Sequence, residues 1–323
     1  MLLTVENLST YFFLDEGQLK AVDDVSFTVD EQETVALVGE SGCGKTIVAL
    51  SLINLVSLPG RIIGGRVLFQ DKDVLKVGEE ELRRIRGKEI GMVFQEPGEA
   101  LNPVYTVGYQ ISEVIQIHKG LPKHEADKEA VRLLGDMGIP EPEKRAKAYP
   151  YELSGGMQQR AVIAIATSAQ PKLLIADEPT TALDVTVQAE ILDLLRYLQE
   201  RYKMAILLIT HDLGIVAEMA QRVMVMYTGK LIEIARTVDL FQQPKHPYTK
   251  GLLDSIPRFR TGQKGALQGI PGSVPDFLKL PSGCTFHPRC LLAESTCTSE
   301  FPPLQEIEHG RYCACYRSLN KAI

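Results

Sequence analysis

Eight consecutive residues, Gly39-Glu40-Ser41-Gly42-Cys43-Gly44-Lys45-Thr46, carry the densest chemistry in the chain. They fit the pattern GxxxxGK[ST] and lie between a short apolar run, Thr34–Val38, and a segment of helical patterning, Thr46–Val56. The glycines let successive backbone N–H groups converge on phosphate oxygens with no Cβ atoms in the way. A helix opening near Lys45 adds its positive N-terminal end. Lys45 is placed to reach the β- and γ-phosphates of a nucleotide, and the Thr46 hydroxyl to ligate Mg²⁺. Ser41 belongs to the same cradle, and Cys43 reads as a small filler of the loop.

Two further stretches complete this chemistry. Leu173-Leu174-Ile175-Ala176-Asp177-Glu178 is an apolar strand ending in two carboxylates, and strand ends in parallel sheets face the ligand crevice. Asp177 is placed to hold Mg²⁺, usually through water, and Glu178 to polarise a water that attacks the γ-phosphate. Leu153-Ser154-Gly155-Gly156-Met157-Gln158-Gln159-Arg160 opens a helix containing Ala161–Ser168. Ser154 caps it, and Gly155 and Gly156 expose backbone N–H groups. This is a second anion site, too distant along the chain to belong to the first.

The elements that must position these residues follow from periodicity. Residues 1–95 read as mainly β, with strand-like spacing at Leu2–Leu8 and Ala21–Val29. Thr106–His118 and Lys123–Met137 each gather apolar residues on one face and predict a helical insertion. Beyond it the sequence alternates: strand Leu173–Ala176, helix Val185–Tyr202, strand Ala205–Ile209, helix Ile215–Ala220 and strand Val223–Tyr227. Such alternation implies a parallel sheet covered by helices. Residues 244–303 then hold nine of the 18 Pro. The helical period disappears there, apart from a short stretch after His246, which predicts an appended loop-rich module in need of a staple.

The chain has 323 residues and a net charge of −6, with 45% apolar and 24% charged residues. The mildly acidic balance argues against nucleic acid as a partner. No apolar run approaches the ~18–20 residues of a spanning helix. The N-terminus lacks the basic and long apolar regions of an export signal.

LSGGMQQR together with GESGCGKT and LLIADEP resembles the nucleotide-binding subunit of ABC transporters. Gln95 in VFQEP matches the family's Q-loop, Asp184 in TALD its D-loop and His211 in ITHD its switch histidine. Its adenine-stacking aromatic falls at Phe12 or at its neighbour Tyr11. The resemblance covers roughly residues 1–235. It implies an α/β P-loop NTPase with a RecA-like parallel-sheet core, an antiparallel β subdomain and a helical subdomain at about 97–160. An ATPase domain over residues 1–243 and a C-terminal module over 244–323 follow from it. It also implies Mg²⁺ held by Thr46, Gln95 and Asp177, with Glu178, His211 and Gln95 as the catalytic set. Ser154, Gly155, Gly156 and Asp184 would meet ATP bound to a second ATPase subunit in a head-to-tail dimer. No catalytic position departs from the pattern, so active hydrolysis is expected.

Three stretches, at 99–111, 246–257 and 270–290, resemble the oligopeptide, dipeptide and nickel importer branch, most of all the D-type ATPase subunits of dipeptide permeases. That branch implies a second ATPase subunit, as a heterodimer or, for the chain in isolation, a homodimer, with two membrane permease subunits, an extracytoplasmic peptide-binding protein and a peripheral place on the cytoplasmic face of the membrane. The helical insertion would dock the membrane partners. A nickel or other small-solute importer, a soluble ATPase of the same type and a metal-sensing protein are the alternatives. The C-terminal cysteines run Cys284-x5-Cys290-x6-Cys297-x17-Cys315, with Cys313 as a rival fourth. Reducing cytosol disfavours disulfides, and the absence of a short CxxC knuckle weakens zinc. Four thiolates on irregular loops suit a [4Fe–4S] cluster, which the resembled branch implies here, with Ala314-Cys315 matching the last ligand. Zinc and unligated cysteines stay open, and His287 and His309 are alternative ligands.

Overall fold

A computed structural model describes residues 1–181, 183–256 and 269–317. The chain forms two compact units. One comprises Met1–Leu2, Val29–Glu33 and Lys72–Ile209, and the other Leu3–Thr28, Thr34–Asp71 and Thr210–Ile323.

In the first unit, Ile90–Val93, Leu173–Asp177 and Ala205–Thr210 run parallel, in register from Ile90 opposite Leu173 and from Leu173 opposite Ala205. The last two strands are buried along their whole length, as unbroken apolar runs in parallel sheets are. Four longer helices accompany them. Val107–Lys119 starts at Thr106, whose side chain accepts from the Tyr109 N–H, and stops at left-handed Gly120. Lys123–Asp136 buries Ala126, Ala130, Leu133 and Leu134, the face its spacing predicts. Gly155–Thr167 and Val185–Tyr202 are capped by Ser154 and Asp184. The expected helical insertion and parallel core are thus both present.

In the second unit, Leu3–Leu14 lies between Gly17–Val29 and Gly60–Phe69 in an antiparallel sheet, with Leu3 opposite Phe69 and Thr10 opposite Ile62. Thr34–Val38 runs parallel to Arg222–Tyr227, which continues antiparallel into Lys230–Arg236. The helix after the glycine-rich loop spans Lys45–Leu52 and ends four residues before the predicted Val56, because Asn54 adopts a left-handed backbone with φ +52°.

The C-terminal segment departs from the loop-rich expectation. Arg311–Cys313 pairs antiparallel with Lys230–Arg236, and Gln305–Glu308 pairs with Arg311–Cys313. Two strands therefore extend the sheet. Tyr248, Phe286, Cys284 and Ala314 share one core with Val38, Val216, Val225 and Tyr227. Phe286 sits edge-on to Tyr227 and Tyr248, with ring centroids 5.4 Å away in each case. The segment thus packs into the core of the second unit.

Candidate nucleotide site

The glycine-rich loop leaves the buried strand Thr34–Val38 and turns into the helix Lys45–Leu52 at Gly44, whose φ of +106° only glycine adopts readily. A Cβ on Gly44 would lie 2.2 Å from the Ala21 carbonyl, and one on Gly39 2.3 Å from the Met226 carbonyl. Close backbone approach, as well as conformation, therefore demands glycine at both positions. Lys45 is buried, and its ammonium donates to the carbonyls of Gly39 (2.8 Å) and Glu40 (3.0 Å). Its charge is thereby held across the concavity of the loop. Ser41, Gly42 and Thr46 are exposed, Thr46 in the first helical turn. Cys43 is fully buried, and burial pushes its thiol pKa up. This agrees with a packing role.

The two aromatic candidates separate. Tyr11 is buried, and its hydroxyl donates to Asp23 at 2.6 Å. Burial foremost, then this bond, pushes the phenol pKa up. Phe12 is half-buried, and a Cβ on Gly60 would come within 2.8 Å of its ring. His211 is exposed just beyond strand Ala205–Thr210. The following Asp212 caps the helix Leu213–Met219 through the Gly214 N–H.

In the first unit, Asp177 is the buried last residue of its strand. Glu178 has φ +47°, a conformation rare for residues other than glycine and concentrated at functional sites. Its backbone N–H donates to the Ile209 carbonyl at 2.8 Å. Its Oε2 accepts from Gln95 Nε2 at 3.1 Å and from the Thr181 hydroxyl at 2.8 Å. Two of the three expected catalytic residues are thus hydrogen-bonded to each other. Thr181 is a partner that sequence reasoning missed; its signal was a hydroxyl three residues after the carboxylate.

Ser154, Gly155 and Gly156 form the start of a 13-residue helix, with Ser154 Oγ accepting from the Met157 N–H at 3.4 Å. A Cβ on Gly156 would meet Val187 at 2.9 Å, so glycine also permits close packing against the helix that Asp184 caps. The Asp184 carboxylate accepts from the Val187 N–H at 3.0 Å. Arg160 ties this region together through Glu190 and the Met137 carbonyl, each at 2.6 Å.

The expected metal-cluster module is not shown by the described residues. Among the described residues, no group of three or more His, Cys, Asp or Glu side chains is arranged to hold a metal ion. Cys284, Cys290, Cys297 and Cys315 nevertheless line one small cavity, with His287 at its wall. Burial first, then the neighbouring Cys297, Cys315 and Cys290, pushes the Cys284 thiol up to about 11. Cys313 instead belongs to strand Arg311–Cys313, and His309 is exposed in the turn before it.

Residues 22–181 match the family described as ABC transporter, and residues 232–297 match the oligopeptide/dipeptide transporter C-terminal region. The oligopeptide transport ATP-binding protein AppD of Bacillus subtilis is 51% identical over 98% of this chain and 96% of its own length. The dipeptide transport ATP-binding protein DppD of Escherichia coli is 44% identical over 99% and 98%. Among solved structures, a dimeric post-hydrolysis state of the cassette MJ0796 bound to ADP and Pi has a TM-score of 0.66, with 26% identity over 73% of this chain and 98% of that one. The cassette cbiO1 of Clostridium perfringens has a TM-score of 0.63, with 28% identity over 75% and 90%. With its glycine-rich loop, its strand ending in paired carboxylates and its helix capped by Ser154, this chain belongs to the ATP-hydrolysing ATP-binding proteins of ABC transporters, in the branch that carries the oligopeptide/dipeptide transporter C-terminal region.

Proposed function

We propose that the chain hydrolyses ATP to power import of dipeptides or oligopeptides, as one ATPase subunit of a transporter. Near full-length similarity to AppD and DppD, whose names specify oligopeptide and dipeptide transport, supports the substrate class. The observation carrying the catalytic reading is the hydrogen-bonded set Gln95–Glu178–Thr181 on a strained backbone. In this reading Lys45 and the N–H groups of residues 39–46 bind the β- and γ-phosphates. Thr46, Asp177 and Gln95 hold Mg²⁺, which neutralises charge on the phosphates when bound. Glu178 accepts the proton of the attacking water, and His211 orients that water and the γ-phosphate. Phe12 stacks on adenine, while Tyr11 is committed to Asp23.

Ser154, Gly155, Gly156 and Asp184 act on ATP held by a second ATPase subunit, with a heterodimer favoured by the branch. Two permease subunits and an extracytoplasmic binding protein complete the assembly. No described helix is long and apolar enough to cross a membrane, which fits attachment to the cytoplasmic face through those partners.

E178Q keeps the size and shape of the side chain while removing the base. Hydrolysis should fall by about 10²–10⁴ with ATP still bound, and wild-type turnover in E178Q would overturn the role. The finer reading of the C-terminal cavity is a [4Fe–4S] cluster on Cys284, Cys290, Cys297 and Cys315, supported by their common lining of one cavity. A four-thiol donor set suits such a cluster. Protein purified without oxygen should carry about four iron per chain; C315S should lose it and C313S keep it. Iron-free wild-type protein would refute the cluster.

A further inference from the structure

The phosphate loop is braced from the C-terminal module by two contacts. Arg289, in the single turn His287–Arg289, is buried at 4% side-chain exposure and lies bidentate on Glu40, at 2.7 and 3.0 Å. Its Nε donates to the Pro271 carbonyl at 2.8 Å, and Nη1 also reaches the Tyr227 hydroxyl at 3.3 Å. The second contact is the Tyr248 hydroxyl, which accepts from the Glu40 backbone N–H at 2.8 Å. Tyr248 is itself fully buried between Tyr227 and Phe286. Glu40 is the second residue of the loop, and its carbonyl is one of the two that hold Lys45.

We propose that Arg289 and Tyr248 are positioning residues of the nucleotide site, making the C-terminal module part of the machinery that binds ATP. The proposal rests on residues 39–46 being the phosphate loop. Two physical effects combine. A carboxylate inside an anion-binding loop repels the incoming polyphosphate, and the Arg289 guanidinium cancels that charge in a geometry that lysine cannot reproduce. The Tyr248 hydroxyl then fixes the backbone of the same residue, and with it the aim of the N–H groups that follow. Loop N–H groups hold the phosphates in ground and transition states alike, so the effect falls on binding.

The test is steady-state ATPase kinetics of the full chain assembled with its transporter partners, with binding of a fluorescent ATP analogue to the full chain alongside. R289M should raise the KM for ATP about tenfold or more, with kcat at saturation within about twofold. R289K should restore only part of that loss. The double variant E40Q/R289M should recover most of the affinity, because no carboxylate is then left facing the phosphates. Y248F, which keeps the ring in its aromatic cluster, should raise KM about threefold, with the thermal midpoint lowered by only a few degrees. An unchanged KM in R289M and Y248F, or additive losses in E40Q/R289M, would overturn the proposal. A K45A control separates the two readings. If K45A binds nucleotide normally, the phosphate-loop assignment itself has failed; if K45A loses binding and R289M does not, only the bracing role has failed.

Discussion

Thr181→Val removes the hydroxyl that donates to Glu178 Oε2 and little else. The Thr181 bond, at 2.8 Å, is the shorter of the two that Gln95 and Thr181 make to that oxygen. Hydrogen bonds to charged groups contribute about 1.5–3 kcal/mol. Both Glu178 and Thr181 are half-buried, so solvent reduces this to about 1–2 kcal/mol. If that energy holds Glu178 in its working orientation, its loss lowers kcat by about 5–30-fold, since each step of about 1.36 kcal/mol is a factor of ten. ATP binding should be untouched, because Thr181 lies outside the glycine-rich loop and the residues proposed to hold Mg²⁺. The assay is ATP hydrolysis across a range of ATP concentrations for wild type, T181V and T181S. Serine keeps the hydroxyl and should recover most of kcat. The reasoning is refuted if T181V stays within twofold of wild type, if KM rises as much as kcat falls, or if T181S behaves like T181V.

Two further predictions follow from burial and close approach. Gly39→Ala places a Cβ 2.3 Å from the Met226 carbonyl and 2.7 Å from Cys43 Sγ. The loop must therefore shift, costing about 1–3 kcal/mol in denaturant unfolding and about 100-fold in ATP hydrolysis at low ATP; a wild-type rate would contradict the cradle. His246 is fully buried, and burial alone lowers its pKa to about 3. The native state thus keeps this ring neutral while the unfolded chain protonates near pH 6.5, so stability is lost as pH falls below that value, by about 1.4 kcal/mol per unit. His246 Nδ1 accepts from the Tyr248 N–H, a role that the side-chain carbonyl introduced by H246N can keep. Between pH 7.5 and 5 the wild type should lose about 2 kcal/mol more than H246N in urea titrations, and parallel curves would refute the neutral ring.

What could be read from the sequence was local. The glycine-rich loop, the strand ending in Asp177-Glu178 and the cap at Ser154 each lie within eight residues or fewer. Their element types follow from apolar periodicity and glycine. That Gln95 hydrogen-bonds Glu178 could not be read, because it approaches from 83 positions away, whereas Thr181 lies only three residues on. Arg289 gave no signal for the same reason, as its carboxylate lies 249 positions earlier. The final hairpin was missed because Gln305–Glu308 is polar and mostly exposed, so it lacks the apolar alternation that marks a strand. The cysteine ambiguity was similar. Cys313 and Cys315 are two residues apart, which would put them on one face of a continuing strand. The strand ends at Cys313, and the chain then turns Cys315 toward the other three cysteines.

That hairpin also bears on how the chain is made. Lys230–Arg236 has five consecutive buried residues, Leu231–Ala235, and its outer partner is Arg311–Cys313, 311 − 236 = 75 positions later. At about 5–20 residues per second, a ribosome needs several seconds to synthesise the strand that covers it. For that interval the nascent chain carries an apolar strand with an unpaired row of N–H and C=O groups, which can template pairing with another chain. Once docked, the rim becomes Gln305–Glu308, a four-residue strand bearing Glu306 and Glu308. Short length and charge discourage further pairing. Translation that stalls within this window exposes the cell to an adhesive edge that the completed protein never shows.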